Sequence, residues 1–302
     1  ELGVDWVAMS FVKRPADLIE ARALIGGRAG LLAKIEKPSA IEHADDIVRL
    51  ADAIMVARGD LGVEIPHEDV PGRQKELVRA CRAAGRPVVV ATQMLESMIS
   101  SPTPTRAEAS DVATAIYDGA DAVMLSAESA AGAYPLEAVA MMDKIICSTE
   151  RHKLYGSLIS ATDLDEDDAP PHAVAAAAAD IARTIGAAAV VAFTSSGATA
   201  TRIARRRPPV SILAATPNID VARRMCLLWG VRSVVSREIR SYEEMVDAGT
   251  EVFSRGTTGD TSKHIVIVSG SPFGESGSTN NIRVEAVPAG GRGANPARPT
   301  SD

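Results

Sequence analysis

Lys34 and Glu36 stand two residues apart in the apolar run that starts at Leu31, so on an extended chain both side chains leave the same face. Asp60 closes a second run of the same kind, Ala53 to Ala57, which ends Arg58-Gly59-Asp60. Two carboxylates on adjacent strand ends could share one hard divalent cation. Mg2+ (or Mn2+) suits Glu36 and Asp60, because it takes oxygen ligands and completes its octahedron with water and substrate oxygens. With no His or Cys nearby, zinc is disfavoured. Lys34 beside such an ion adds positive charge where a phosphoryl or enolate oxygen becomes more negative during reaction. Thr92, at the end of the run Pro87 to Ala91, offers a hydroxyl for substrate or for a proton path. Plainer readings stand beside these. Lys34–Glu36 or Arg58–Asp60 could be an ion pair, and Thr92 could cap its own backbone. Ser126 and Glu128 end a further run and read as support for the site or as a turn. The five histidines (His43, His67, His152, His172, His264) lie off this rim, so no Ser–His–Asp relay is apparent.

A second constellation is Thr194-Ser195-Ser196-Gly197-Ala198-Thr199, a strand-to-helix turn. Backbone N–H groups at a helix start, with hydroxyls around them, can cradle a phosphate; many such turns carry Ser and Gly merely as caps. Arg202, Arg205, Arg206 and Arg207 follow, and a solvated helix face is the simpler reading of them. The loop Gly274 to Asn280 could close over the same ligand.

The elements that must carry these groups alternate. Runs at Trp6 to Phe11, Leu31 to Ile35, Ala53 to Ala57, Pro87 to Ala91 and Ala122 to Ser126 are short and continuously apolar, as parallel strands covered on both faces are. Between them, Pro15 opens a helix that Gly26 ends, Pro71 opens one that Gly85 ends, and Thr105 to Glu108 forms a capping box for one that Gly119 ends. In open and closed parallel sheets alike, reactive groups collect at the carboxyl ends of strands, where Lys34, Glu36, Asp60 and Thr92 fall. Five strand–helix units in residues 1–150 match the pace of a (β/α)8 barrel of roughly 250 residues, and an open sheet has the same alternation.

Residues 151–171, with an acidic run from Asp163 to Asp168 and Pro170-Pro171, read as a linker. Residues 172–288 read as a second α/β domain. Its predicted helices are His172 to Ile185, Ala198 to Arg207, Asn218 to Gly230 and one capped by Ser241 to Glu244. Its predicted strands are Ala189 to Thr194, Val210 to Ala215, Val231 to Ser236, His264 to Ser269 and Ile282 to Val287. Residues 289–302 lack periodicity and read as a disordered tail. The expected fold class is therefore α/β: a partial (β/α)8 TIM barrel with five of eight units, then a C-terminal three-layer α/β domain.

Composition narrows the function. The 39 acidic residues outnumber 32 basic ones, giving a net charge of −7, and aromatics are only 3%, a poor basis for binding nucleic acid. No apolar run approaches the roughly 20 residues of a membrane span, and no leader is seen. Three cysteines without metal or CxxC spacing fit a reducing, cytoplasmic setting. The first residues, Glu1-Leu2-Gly3-Val4, carry no initiator Met and suggest a piece of something longer.

Several stretches together resemble the pyruvate kinase family: Ala33-Lys34-Ile35-Glu36, Ile54-Met55-Val56-Ala57-Arg58-Gly59-Asp60-Leu61-Gly62-Val63-Glu64, Ala91-Thr92-Gln93-Met94-Leu95-Glu96-Ser97-Met98, Pro104-Thr105-Arg106-Ala107-Glu108-Ala109-Ser110-Asp111-Val112-Ala113 and Asp121-Ala122-Val123-Met124-Leu125-Ser126. The resemblance implies a barrel with a lid domain inserted after its third strand and a C-terminal regulatory domain. By it, the five strands here are strands four to eight. The first three strands, the lid, the K+ ligands and much of the nucleotide site are expected to lie outside this chain, which alone would be inactive.

The activity implied is the glycolytic transfer of a phosphoryl group from phosphoenolpyruvate to ADP, giving pyruvate and ATP, with Mg2+ and K+. Carried over, Glu36 and Asp60 hold the divalent ion. Lys34 neutralises the phosphoryl group in flight and then the enolate. Thr92, with the amides of Gly59 and Asp60, holds the substrate carboxylate. Thr194, Ser195, Ser196, Gly197 and Thr199 fall where members bind a sugar-phosphate activator, and a cytoplasmic homotetramer is implied. Some positions depart from the family pattern. Lys37-Pro38 replaces an asparagine-containing turn, Ala127 a Gly, and Ser129 a Thr; Ala198 stands where Lys or Arg is frequent. Two other readings compete: an Mg2+-dependent lyase working through a pyruvate enolate, and a non-catalytic fragment that binds sugar phosphate.

Overall fold

Apolar runs too short for helices and flanked by Gly, Pro and charge become two five-stranded sheets. The computed structural model describes residues 2–161, 169–256, 264–272 and 278–287. The first sheet, in the order β1-β2-β3-β4-β5, is parallel throughout: β1 (Trp6–Met9), β2 (Gly30–Ile35), β3 (Ala53–Ala57), β4 (Val88–Ala91) and β5 (Ala122–Met124). Its helices are α1 (Pro15–Ile25), α2 (Pro38–Glu42), α3 (Ala44–Leu50), α4 (Arg58–Glu64), α5 (Val70–Ala84), α6 (Arg106–Asp118), α7 (Ala127–Ala130), α8 (Pro135–Arg151) and α9 (Tyr155–Ser160).

Helix ends follow the local chemistry. Gly26, Gly85 and Gly119 take the left-handed conformation just past α1, α5 and α6. Thr105 Oγ1 accepts the Glu108 N–H, and Glu108 accepts the Thr105 N–H in return, so the capping box of α6 is complete.

Strand alternation sorts the side chains. Ala33, Ile35, Ile54, Val56, Val88 and Val90 face the helices, packing with Leu77, Val78 and Cys81 of α5 and Val112 of α6. Leu32, Ala53, Met55, Val89 and Ala91 form a separate cluster on the other face. Lys34 and Glu36 continue the column begun by Leu32, so they crown this second face at the carboxyl end of β2. Each large side chain buried here adds about 1.5–3 kcal/mol, which makes the strands a firm base for the rim.

The second sheet, β10-β9-β6-β7-β8, comprises β6 (Ala189–Phe193), β7 (Ser211–Thr216), β8 (Val231–Val235), β9 (His264–Gly270) and β10 (Thr279–Ala286). β10 runs antiparallel to β9 at one edge. Helices α10 (Pro170–Thr184), α11 (Ala198–Ala204) and α12 (Ile219–Arg224) accompany it with α13 (Tyr242–Gly256). Ala178, Ala182, Ile203 and Met225 pack on one face of the sheet, and Met245, Val252 and Phe253 on the other, giving three layers.

Three expectations need correction. The stretch 151–171 contains α9, because Tyr155 and Ile159, one turn apart, bury themselves against Ile116 and Tyr117 of α6. The helix expected from Asn218 to Gly230 stops at Arg224, and the 3-10 turn Met225–Leu227 follows it, with Leu227 set against the inner face of the first sheet. The helix after the Ser195 turn ends at Ala204, and Arg205 and Arg207 are buried rather than solvated.

The buried arginines close a seam between the two sheets' units. Arg207 Nη1 meets Asp121 Oδ1 at 3.0 Å, with side-chain exposures of only 1% and 6%. Arg207 also donates to the Gly119 carbonyl and lies 5.0 Å from the Trp229 ring. Asp121 further accepts the N–H groups of Val88 and Trp229, and Trp229 Nε1 donates to Glu150. Arg82 donates to the carbonyls of Ile159 and Arg205; burial, then the Arg207 charge, pulls its pKa down to about 10. The acidic run 163–168, the loop positions 274–277 and the tail 289–302 lie outside the described residues.

Candidate active site

The rim brings together three strand ends. β2 delivers Lys34 and Glu36, whose Nζ and Oε1 are 2.5 Å apart. Glu36 is 1% exposed, and its second oxygen accepts the Phe11 N–H at 2.7 Å. Phe11 donates from a left-handed conformation (φ 60°) just past β1. The Lys34 side chain keeps 23% exposure and its Nζ also reaches Ser10 Oγ at 3.0 Å. An ammonium held by an anchored carboxylate yet open to solvent is placed to meet an incoming anion.

β3 ends directly in α4, so Gly59 and Asp60 lie in that helix's first turn, where negative charge is favoured. Asp60 is exposed, and its carboxylate makes no hydrogen bond or ion pair among the described residues. β4 supplies Thr92, whose Oγ1 accepts the Gly59 N–H at 2.8 Å and donates to the Ala91 carbonyl at 2.7 Å. A Cβ on residue 59 would sit 3.1 Å from that hydroxyl, so glycine is what lets the two strand ends close up. Thr92 and Gln93 both take positive φ (72° and 54°), a costly conformation for a β-branched residue that surroundings must enforce.

Arg58 enforces it. Its guanidinium donates to the Thr92 carbonyl (2.7 Å), to Asp111 of α6 (2.6 Å) and to Gln74 of α5 (3.3 Å). The Arg58–Asp60 pair considered from sequence is therefore replaced by Arg58–Asp111, while the Lys34–Glu36 pair is present. Gln74 in turn donates to Asp118. Sequence reasoning missed Asp111 and Gln74. A signal existed for Gln74, a polar residue on the stripe that carries Leu77, Val78 and Cys81. Glu128 is buried and accepts the N–H groups of Leu95 and Ser126, so it braces the loop after β4.

Among the described residues no group of three or more His, Cys, Asp or Glu side chains forms a metal cage. The two carboxylates singled out, Glu36 and Asp60, are hard oxygen donors on neighbouring strand ends. Among the described residues the Asp60 carboxylate has no competing partner, and such a pair suits an ion that keeps several waters.

In the second unit, Thr194, Ser195, Ser196 and Thr199 line a small cavity of about 110 Å³. Thr194 Oγ1 accepts the Gly197 N–H, Gly197 adopts φ 89°, and Thr199 Oγ1 lies 2.8 Å from Thr279 Oγ1. Of the loop Gly274–Asn280, only 278–280 are described, and Ser278 and Thr279 line the same cavity.

The barrel-domain model of pyruvate kinase matches residues 1–139, and the alpha/beta-domain model matches residues 172–285. A pyruvate kinase from Agrobacterium vitis is 61% identical over 289 residues, covering 96% of this chain and 60% of that relative. Pyruvate kinases from Methylorubrum extorquens (48% identity, 94% of this chain, 60% of the relative) and Geobacillus stearothermophilus (43%, 94% and 49%) match similarly. The chain thus spans about 60% of the length of the first of these. No described helix is long and apolar enough to cross a membrane. Two family models in order along the chain, with the rim motifs inside the first, make this chain a member of the pyruvate kinase family.

Proposed function

We propose that this chain carries part of the catalytic rim of a glycolytic pyruvate kinase, which transfers the phosphoryl group of phosphoenolpyruvate to ADP. The activity belongs to the whole polypeptide, of which residues 1–150 supply five barrel strands and 172–288 a regulatory domain. One observation carries the reading: Lys34 Nζ lies 2.5 Å from the buried Glu36, with Asp60, unpartnered among the described residues, on the next strand end.

Phosphoryl transfer is mostly positioning and charge neutralisation, and each rim group has such a task. Lys34 meets the phosphoryl oxygens during transfer and afterwards the enolate oxygen, where a preorganised ammonium stabilises developing charge. The substrate carboxylate takes the Gly59 N–H from Thr92 Oγ1 and adds the Asp60 N–H. To bind the carboxylate Thr92 turns its O–H, which otherwise donates to the Ala91 carbonyl, toward the substrate, and so stands on the proton path to the enolate carbon. Glu36 and Asp60 hold Mg2+ (or Mn2+), which when bound supplies Lewis-acid charge next to the substrate oxygens. K+ serves as a second cation with ligands outside these residues. The Thr194–Thr199 turn takes a sugar-phosphate activator, and the enzyme works as a cytoplasmic homotetramer.

The test is product stoichiometry. Incubated with phosphoenolpyruvate, ADP, Mg2+ and K+, the full-length protein yields pyruvate and ATP in equal amounts, and Glu36→Gln raises the Mg2+ concentration required. Pyruvate without ATP, or no turnover with sugar phosphates present, would sink the kinase reading and favour a lyase or a binding protein.

A further inference from the structure

Gln74 lies on the buried stripe of α5 although its side chain is polar, and its two amide atoms serve two other helices. Oε1 accepts from Arg58 Nη1 of α4 at 3.3 Å, and Nε2 donates to Oδ2 of Asp118, the last residue of α6, at 2.9 Å. The Asp118 side chain is 5% exposed, and its other oxygen meets the ammonium of Lys75, which stands on the open side of α5. Lys75, Asp118, Gln74 and Arg58 therefore form one hydrogen-bonded chain from the surface to the rim, where Arg58 Nη2 reaches the Thr92 carbonyl.

A primary amide fits one socket in two senses, with its oxygen or its NH2 forward. An ionised carboxylate only accepts, so Asp118 draws Nε2 and thereby turns Oε1 toward Arg58. The reverse sense would set an NH2 group against a guanidinium, two donors with no acceptor between them. The sense matters, because Arg58 Nε–H is enclosed without an acceptor among the described residues, and the guanidinium is fixed through its Nη groups. Those groups hold Thr92 in a left-handed backbone (φ 72°) that its surroundings must enforce, and Thr92 Oγ1 accepts the Gly59 N–H. We propose that Gln74 and Asp118 are positioning residues for the cradle that takes the substrate carboxylate. Asp118 sets the sense of the Gln74 amide, and that amide fixes Arg58 and, through it, Thr92. Neither side chain touches substrate. The identity of that substrate rests on the kinase reading above, whereas the coupling belongs to the folded chain and is measured without substrate.

The experiment reads two quantities on the full-length protein: hydrogen–deuterium exchange at the Gly59 amide, and kinetics with phosphoenolpyruvate and ADP. Urea unfolding of each variant separates local loosening from global loss of stability. Gln74→Met keeps the bulk and removes both hydrogen bonds. It should speed Gly59 exchange and lower kcat/KM for phosphoenolpyruvate, each roughly tenfold, with KM for ADP unchanged. Arg73→Gln, which removes an exposed ion pair with Glu76 one residue away, should move neither quantity. Asp118→Asn tests the sense of the amide. Lys75 takes the new side chain's oxygen, so its NH2 faces Gln74 and turns that amide over, and the defect should follow that of Gln74→Met. Adding Lys75→Met lets the new side chain present its oxygen to Gln74 and should restore most of the parent's exchange and kcat/KM, a rescue that lost packing does not produce. If Gln74→Met does not fold, Asp118→Asn with and without Lys75→Met decides the matter. Gly59 exchange equal to the parent's in Gln74→Met and Asp118→Asn would overturn the proposal, as would failure of Lys75→Met to rescue Asp118→Asn. A parent without turnover would defeat the kinase reading, and Gly59 exchange would still decide the coupling.

Discussion

Two polar clusters in this molecule use the same residue types to opposite ends. In the seam, Asp121 accepts from Arg207, Val88 and Trp229, and Arg207 is almost wholly enclosed. On the rim, Glu36 is equally buried, but its Lys34 partner keeps part of its surface in water and Asp60 stands without a partner among the described residues. A cluster that spends its hydrogen bonds inside the protein joins two pieces of chain. One that leaves an ammonium and a carboxylate reachable has capacity for a ligand. Strain separates them less cleanly, since Thr92 on the rim and Arg207 in the seam both take positive φ. Backbone strain alone therefore does not mark the reacting site here.

The contrast can be broken by substitution. The largest effect is expected from Arg207→Met, which leaves Asp121 buried without its cation and should cost about 3–5 kcal/mol of unfolding free energy in urea. A loss under about 1 kcal/mol would show that the seam does not depend on this pair. Lys34→Met should act on turnover, lowering it about 10²–10³-fold. Its cost in stability should be smaller than that of Arg207→Met, because the Lys34 side chain is 23% exposed where that of Arg207 is 1%, and Glu36 keeps the Phe11 N–H. Unaltered turnover would make Lys34 a structural partner only. Arg58→Lys keeps the charge but cannot serve the Thr92 carbonyl, Asp111 and Gln74 together. Misplacing Thr92 in this way should reduce kcat by roughly ten- to a hundredfold.

The smallest effect is one of pH. Burial alone would raise the Glu108 carboxyl above its ordinary 4.5, but hydrogen bonds from the Ser97 side chain and N–H and from Thr105 outweigh it and hold the pKa lower. A depressed native pKa stabilises the fold fully above the unfolded value, and the contribution fades as pH falls through the native one. Glu108→Gln should therefore flatten the loss of stability below about pH 4.5, read from melts across acid buffers. An unchanged acid limb would remove Glu108 from the account.

How much was legible in the sequence follows the range of the interactions. Lys34 and Glu36 share a strand, so period two placed them on one face. The caps of α1, α5 and α6 lie within a few residues of what they cap, and they were readable for that reason. Arg58 finds Asp111 across 53 positions and Arg207 finds Asp121 across 86, and no local pattern announces either pairing. The same distance explains why Arg205 and Arg207 read as a solvated helix face. Arg207 is buried by Asp121, Gly119 and Trp229, which arrive only when the two units meet, and Arg205 packs with His172 and with Arg82 of the first unit. Helix α9 was hidden differently, in a six-residue segment too short to show a period beside an acidic, proline-bearing stretch.

Asp60→Asn tests the central claim most directly, because Asp60 has no described hydrogen bond or ion pair for the fold to lose. Turnover of phosphoenolpyruvate and ADP and urea unfolding are measured on the same full-length preparation. The account predicts unfolding within about 0.5 kcal/mol of the parent, with turnover down about 10²–10³-fold and a higher Mg2+ requirement. Turnover and Mg2+ requirement equal to the parent's would contradict it.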